Sequence, residues 1–231
     1  MQPVAVITGA SQGLGFELAK GLASQGWSLV IDARNASHLE AAAASVAAGR
    51  TEGSEIVALP GDVTDPAHRD ALAKHARTLG QVRLVVNNAS TLGTSPLPPL
   101  DRLSDDVLRR VLEVNVIAPL ALVRTLAGDL AAGATIVDIT SDAAVEPYPS
   151  WGGYGASKAA LEHASRILAV EHPEWRVLVV DPGDMRTEMH QDAFPGEDIS
   201  DRPPPSDSVP GLLALINGDH PSGRYQAREV V

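Results

Sequence analysis

Tyr154 and Lys158 stand four residues apart in Tyr154-Gly155-Ala156-Ser157-Lys158, a spacing that puts both on one face of a helix. A free phenol titrates near ~10, too high for efficient proton transfer near neutrality. An adjacent ammonium favours the phenolate and lowers that value, so the pair makes sense as a tuned proton donor. A tyrosine and a lysine at this spacing also decorate many helix surfaces, and spacing alone decides nothing. Ser141, in Ile139-Thr140-Ser141, stands upstream at the end of a strand-like run. Asn115 interrupts the apolar stretch Glu113-Val114-Asn115-Val116. An asparagine is unfavourable in mid-helix and must find partners when buried, so it reads equally as a structural or a functional residue.

A second group of residues is suited to phosphate. Thr8-Gly9-Ala10-Ser11-Gln12-Gly13-Leu14-Gly15 lies between an apolar run and a helical pattern. Glycines there permit a tight turn and close backbone approach, and the helix N-terminus supplies N–H donors and a positive dipole. After the next apolar run comes Asp32-Ala33-Arg34-Asn35. A carboxylate at that place hydrogen-bonds an adenosine ribose, whereas a 2′-phosphate needs a cation; both charges are present. In Gly61-Asp62-Val63-Thr64-Asp65-Pro66, Asp65 reads as a helix N-cap with Pro66 in the first turn. Asp62 has no such structural task and is placed to meet an adenine amino group. Asn87-Asn88-Ala89-Ser90 sets small polar residues at a further strand end, serving either a turn or a ligand.

Positioning these groups requires a scaffold, and the hydropathy pattern supplies one. Short apolar runs rich in Val and Ile occupy Val4–Ile7, Ser28–Ile31, Glu55–Ala58, Arg83–Val86, Ala134–Ile139 and Arg176–Val180. They lack alternation, as strands buried on both faces of a parallel sheet do. Helical stretches separate them at about Leu14–Ser24, Ala36–Ala48, Pro66–Leu79, Ser104–Ala127 and Gly152–Val170. The alternation predicts an α/β fold, a Rossmann-type doubly wound parallel sheet with helices on both faces, in a single domain over residues 1–231. Asp184–Asp207 is rich in acids and prolines and is expected to be a substrate loop or lid rather than only a solvated loop. A short helix near Ser208–Ile216 and a last strand near Gly223–Ala227 should follow.

Composition narrows the function classes. Of 231 residues, 44% are hydrophobic and 20% charged, enough for a sizeable core, and aromatics are scarce at 3%. A formal net charge of −11 argues against nucleic acid or an anionic membrane as partner. The absence of cysteine excludes disulfides, a thiol nucleophile and Cys-based zinc. No run is long and apolar enough to span a bilayer, and Met1-Gln2-Pro3 enters a strand without a basic leader, so a cytoplasmic protein is expected.

Taken together, Thr8–Gly15, Asn87–Ala89, Asn115, Ser141, Tyr154-x-x-x-Lys158 and Pro182-Gly183-x-x-x-Thr187 resemble the short-chain dehydrogenase/reductase family in its common single-domain form. The match runs from about Val4 to Thr187. The resemblance implies that Tyr154 is the general acid in reduction and the base in oxidation. It implies that Ser141 polarises the carbonyl oxygen, that Lys158 holds the nicotinamide ribose and tunes the tyrosine, and that Asn115 supports a proton-relay water. By the same resemblance, Gly9, Ser11, Gln12, Gly13, Leu14 and Gly15 wrap the pyrophosphate. Asp62 and Val63 face adenine, Asn88 and Ala89 lie beside the adenosine ribose, and Pro182, Gly183 and Thr187 position the nicotinamide. No metal is required.

For the cofactor, the family's NAD-preferring members place an acid where this chain has Ala33, and NADP-preferring members often place a base where it has Arg34. Asp32 falls one position early, and Gln12 stands where many NADP users carry a second base. NADP(H) is therefore expected, with NAD(H) as the alternative. Ser90 replaces the glycine that usually ends the Asn-Asn-Ala-Gly motif, and the family's Asp-Gly-Gly ending is missing before Val231. The latter favours a homodimer over a tetramer. The expected substrate is a small carbonyl or alcohol, with Asp142, Glu146, Tyr148, Trp151, Met185 and Met189 as pocket candidates. Of the histidines, His68 and His75 read as a solvated helix face and His190 as an exposed lid residue. The competing function is a catalytically silent NADP(H)-binding sensor or scaffold, which the complete set Asn115, Ser141, Tyr154 and Lys158 disfavours.

Overall fold

The computed structural model describes residues 2–230. Seven parallel strands form one sheet in the order β3-β2-β1-β4-β5-β6-β7. The strands are β1 (Val4–Ile7), β2 (Ser28–Ala33), β3 (Ile56–Pro60), β4 (Val82–Asn87), β5 (Leu130–Ile139), β6 (Arg176–Asp181) and β7 (Gly223–Gln226). The helices are α1 (Gly13–Ser24), α2 (Ala36–Ala48), α3 (Pro66–Leu79), α4 (Asp105–Leu112), α5 (Ala118–Leu126), α6 (Gly152–Glu171), α7 (Glu188–Ala193) and α8 (Val209–Asn217). Each expected strand is present, and so is each expected helix, except that the 104–127 stretch is divided. No described helix is long and apolar enough to cross a membrane.

Successive side chains of a strand point to opposite faces, and the core divides accordingly. Ala5 and Ile7 join Ile31, Val86, Val137 and Val180 on one face, under Leu18 and Leu22 of α1 and Leu212 and Leu215 of α8. Val4 and Val6 join Val30, Val85, Ile136 and Val177 on the other, under Leu72 and Ala76 of α3 and Leu122 and Leu126 of α5. Covering both faces is what makes the strand sequences uniformly apolar. Strand order reverses beside β1, whose neighbours are β2 and β4. The carboxyl ends there splay into a crevice, the usual ligand position of an open α/β sheet.

Three elements differ from the expectation. The stretch 104–127 is not one α-helix: a π-helical segment, Glu113–Ile117, separates α4 from α5 and carries Asn115 at its centre. An inserted residue of this kind is common at functional sites. The proline-rich 184–207 segment contains α7, started by Thr187, whose hydroxyl accepts the His190 N–H at 3.1 Å. Its six residues are too few for a helical period to show in sequence. β5 also begins earlier than expected, at Leu130, because Gly133 takes φ 74° and lets the register against β4 shift.

Candidate active site

The carboxyl ends of the strands enclose a cleft of about 1390 Å³, large enough for a dinucleotide with a small substrate. At its centre β1 turns into α1 through the glycine loop. Gly9 has φ 68°, and a Cβ there would stand 2.9 Å from Ala89 Cα. At Gly15 a Cβ would stand 2.5 Å from both the Gly9 carbonyl oxygen and the Asn88 amide nitrogen. The loop therefore closes only on glycine. Asn88 braces it from β4 by donating its amide to the carbonyls of Thr8 and Gly9 at 2.9 Å. No side chain caps the N-terminus of α1, which leaves its first N–H groups to an anion. Gly9, Ser11, Gln12, Gly13 and Leu14 line the cleft with Asn88 and Ala89, whereas Gly15 lies beneath them.

At the end of β2, Asp32 borders the cleft but is buried and commits both carboxylate oxygens to the protein. Its Oδ1 accepts the Gly9 N–H at 2.8 Å and its Oδ2 lies 3.0 Å from Nε2 of His68. Burial raises its pKa, against the opposing pull of His68 and the Gly9 N–H. His68 is accordingly buried, not on a solvated face: Gly61 carries no side chain, and a Cβ there would collide with the imidazole. Arg34, by contrast, is exposed and lines the cleft. Asp62 does have a structural task. Its Oδ1 accepts the Thr64 N–H and hydroxyl, and its Oδ2 pairs with Arg110 of α4 at 2.7 Å. Partial burial would raise this carboxyl, but those donors hold it down at about 2. Asp62 and Val63 still border the cleft.

The other half of the cleft gathers Ser141, Tyr154 and Lys158. Tyr154 enters from the first turn of α6 and is held edge-on by Trp151, ring centroids 5.7 Å apart. Lys158, one turn on, is 2% exposed and donates from Nζ to the Ile139 carbonyl at 2.8 Å. Its Nζ is 5.5 Å from the tyrosine ring centroid. Burial pushes this amine down to about 8, opposed by the buried Asp138 carboxylate. Tyr154 is shifted the opposite way from the sequence expectation. Burial drives the phenol well above its ordinary value, and the charges of Asp181 and Asp142 add to that, against hydrogen bonding between the phenol and the hydroxyls of Ser90 and Ser141. The ammonium, turned to Ile139, does not counter this. Ser141 donates its hydroxyl to Asp142 Oδ1 at 2.8 Å, and Asp142 Oδ2 accepts from Tyr148.

Asn115 lies behind the cleft rather than in its lining. Its amide donates to the Thr91 carbonyl at 2.9 Å and to Ser157 Oγ at 3.0 Å. Its oxygen accepts from the Ser90 hydroxyl and the Thr91 N–H. All four hydrogen-bonding positions of the amide are met by protein, so the side chain has none to spare for a relay water. It ties the π-helical segment to the 88–91 loop and to α6.

Pro182, Gly183 and Thr187 follow β6 into the cleft, and Met185, Met189, His190 and Phe194 cover its substrate end with Trp151. The segment is fastened to both sides: Gln12 Nε2 donates to Glu188 at 2.5 Å, and the Ser95 hydroxyl to the Asp192 carbonyl at 2.6 Å. His190 is thus largely enclosed, its Nε2 buried without a hydrogen-bond partner. Asp142, Tyr148, Trp151, Met185 and Met189 line the cleft as expected, but Glu146 does not; the turn following residues 142–144 leaves it exposed. Residues overlooked in sequence are Ser90, whose hydroxyl faces the phenol, and the acids Asp138 and Asp181. Each acid is the polar member of a strand-end run, Val137-Asp138 and Val180-Asp181, and that interruption was the available signal.

Residues 3–198 match the family model described as short chain dehydrogenase. A short-chain type dehydrogenase/reductase of Picea abies is 33% identical over 197 residues, covering 80% of this chain and 72% of that protein. An alcohol dehydrogenase from the archaeon Thermococcus sibiricus, solved with 5-hydroxy-NADP, superposes with TM-score 0.86 at 26% identity, over 98% of this chain and 96% of that one. A short chain dehydrogenase from Escherichia coli CFT073, solved with NADPH, gives TM-score 0.88 at 28% identity, with coverage of 98% and 96%.

Proposed function

The chain belongs to the short-chain dehydrogenase/reductase family of oxidoreductases; from that premise we propose that it uses NADP(H) to move a hydride to or from a small carbonyl or alcohol substrate. The commitment of Asp32 carries the cofactor choice. Both oxygens of that carboxylate are taken by Gly9 and His68, so of the two charged cleft residues at the end of β2 Arg34 is the one not committed to them. A guanidinium suits a 2′-phosphate. The NADP-type ligands of the Thermococcus and Escherichia structures agree with this.

The residues present fit a dinucleotide. The glycine cradle that a Cβ would fill and the uncapped N-terminus of α1 suit a pyrophosphate. Gly9, Ser11, Gln12, Gly13, Leu14 and Gly15 hold that end, Asp62, Val63, Asn88 and Ala89 hold the adenosine, and Pro182, Gly183 and Thr187 hold the nicotinamide. When bound, the nicotinamide supplies or accepts the hydride at the substrate carbon. Tyr154 gives its phenolic proton to the carbonyl oxygen in reduction and takes it back in oxidation. Ser141 turns its hydroxyl from Asp142 to that oxygen, and Lys158 turns its ammonium from Ile139 to the ribose. Asn115 positions the 88–91 loop and α6. Segment 184–207 serves as the lid.

Exposed Ile117, Ile167 and Val170, on the π-helical segment and α6, support a homodimer through these helices, which light scattering would test. The test of function is to measure NADPH and NADH dissociation constants and then turnover of a panel of aldehydes, ketones and diones. NADPH tighter than NADH, with turnover of at least one carbonyl, is expected. Tighter NADH overturns the cofactor choice. Tight NADPH binding without any turnover favours the sensor reading.

A further inference from the structure

Arg224 stands on β7, the last strand of the sheet, and takes no part in the family motifs. Its guanidinium reaches three groups on three other segments. Nε donates to Glu162 Oε1 of α6 at 3.0 Å, and Nη2 donates to Asp181 Oδ2 at the end of β6 at 3.1 Å and to the Ser141 carbonyl at 3.4 Å. Glu162 and Asp181 are both buried. Glu162 also accepts the Thr140 hydroxyl at 2.8 Å, and Asp181 accepts the Gly183 N–H at 2.9 Å. The arginine thus joins the segment that carries Ser141, the turn into Pro182-Gly183, and the helix that carries Tyr154 and Lys158.

Two buried carboxylates without a cation would be costly in this place, and one arginine serves both. The consequence reaches the phenol. Asp181 borders the cleft and its charge opposes ionisation of Tyr154. The other groups acting on Tyr154 are Asp142 and the hydroxyls of Ser90 and Ser141, with Lys158 one turn along α6 and Asp138 beneath that lysine. On the far side of Glu162 is Arg166, at 3.6 Å. Of the two carboxylates that act on the phenol, Asp142 and Asp181, only Asp181 has its charge met by an arginine, and that arginine comes from outside the motif segments.

We propose that Arg224 is a positioning residue of the active site: by pairing Asp181 and holding the Ser141 carbonyl, the last strand sets the charge that Tyr154 meets. The proposal rests on Tyr154 being the proton carrier. A purely mechanical role for Arg224 would hold the backbone without affecting the phenol, and the two roles separate in a titration.

The experiment is an alkaline titration of full-length protein labelled with 13C at the tyrosine ζ carbon, with saturating NADPH. Tyr154→Phe identifies the resonance. Asp181→Asn, which keeps the shape and the Gly183 acceptor but removes the charge, should ionise Tyr154 at lower pH than wild type. Arg224→Met, which exposes the phenol to an unpaired Asp181, should ionise it at higher pH. Arg224→Lys should fall between Arg224→Met and wild type. Should Arg224→Met fail to fold, Arg224→Lys stands in for it, and an arginine variant that titrates as wild type overturns the proposal. Indistinguishable curves for Asp181→Asn and wild type, including no ionisation in either before unfolding, overturn the proposal. Near-full turnover by Tyr154→Phe would instead overturn the assignment of the acid, whatever the titrations show.

Discussion

His68 Nε2 lies 3.0 Å from Asp32 Oδ2, and the other oxygen of that carboxylate accepts the Gly9 N–H at 2.8 Å. A carboxylate at the end of the second strand commonly reads as a ribose ligand, but here it is an internal strut beneath the glycine loop. His68→Leu leaves this buried carboxylate short of a partner, a loss of about 2–3 kcal/mol. The expected result in urea denaturation is a lower midpoint, with the ratio of NADPH to NADH affinity unchanged. A changed ratio would mean that Asp32 meets the ribose after all.

Arg34 should carry the cofactor preference. Charge-assisted hydrogen bonds to a phosphate are worth about 1.5–3 kcal/mol, so Arg34→Ala should weaken NADPH by ~10- to 100-fold and leave NADH within about twofold. Quenching of intrinsic fluorescence on titration with each cofactor measures both. Equal weakening of the two would show that Arg34 acts on something they share.

Tyr154→Phe removes one hydroxyl and keeps the ring against Trp151. Turnover should fall by at least ~10²-fold, the usual worth of a positioned acid, while the NADPH dissociation constant stays within about twofold. Steady-state kinetics beside a binding titration checks the split.

Lys158 gives a pH dependence with a definite sign. Burial lowers its amine to about 8 in the free protein, and the negative charge of a bound dinucleotide favours the ammonium. Binding therefore raises this pKa, takes up protons near pH 8, and weakens as pH rises through that value. Calorimetry in two buffers of different ionisation enthalpy measures the uptake. Proton release, or no exchange at all, would contradict the burial of an ammonium beside the cofactor.

The parallel sheet, its helices on both faces and the residues that approach the crevice were legible because they follow from local pattern. Val4–Ile7 and Arg176–Asp181 are apolar for the reason that both faces are covered, and the glycine loop can be nothing bulkier. Long-range pairing was not legible. Nothing near Asp62 points to Arg110, nothing near Asp32 points to His68, and nothing near Ser141 points to Arg224. The direction of the tyrosine shift in the free protein was not legible for the same reason. Sequence shows Lys158 one turn away, but not that its ammonium turns to Ile139 while Asp142, from the turn after β5, and Asp181, at the end of β6, close in.

β7 pairs with β6 alone and forms one edge of the sheet. Edge strands have ladder bonds on one side only, and such elements open locally before the body of a domain unfolds. Helix α8 lies so close over the turn after this strand that a Cβ at Gly211 would meet the Ala227 carbonyl. With Arg224 aboard, fraying of these four residues is also a chemical event, since it withdraws the cation from Asp181 and Glu162. Amide exchange at Arg224–Gln226 is therefore expected to outpace global unfolding and to keep step with loss of activity.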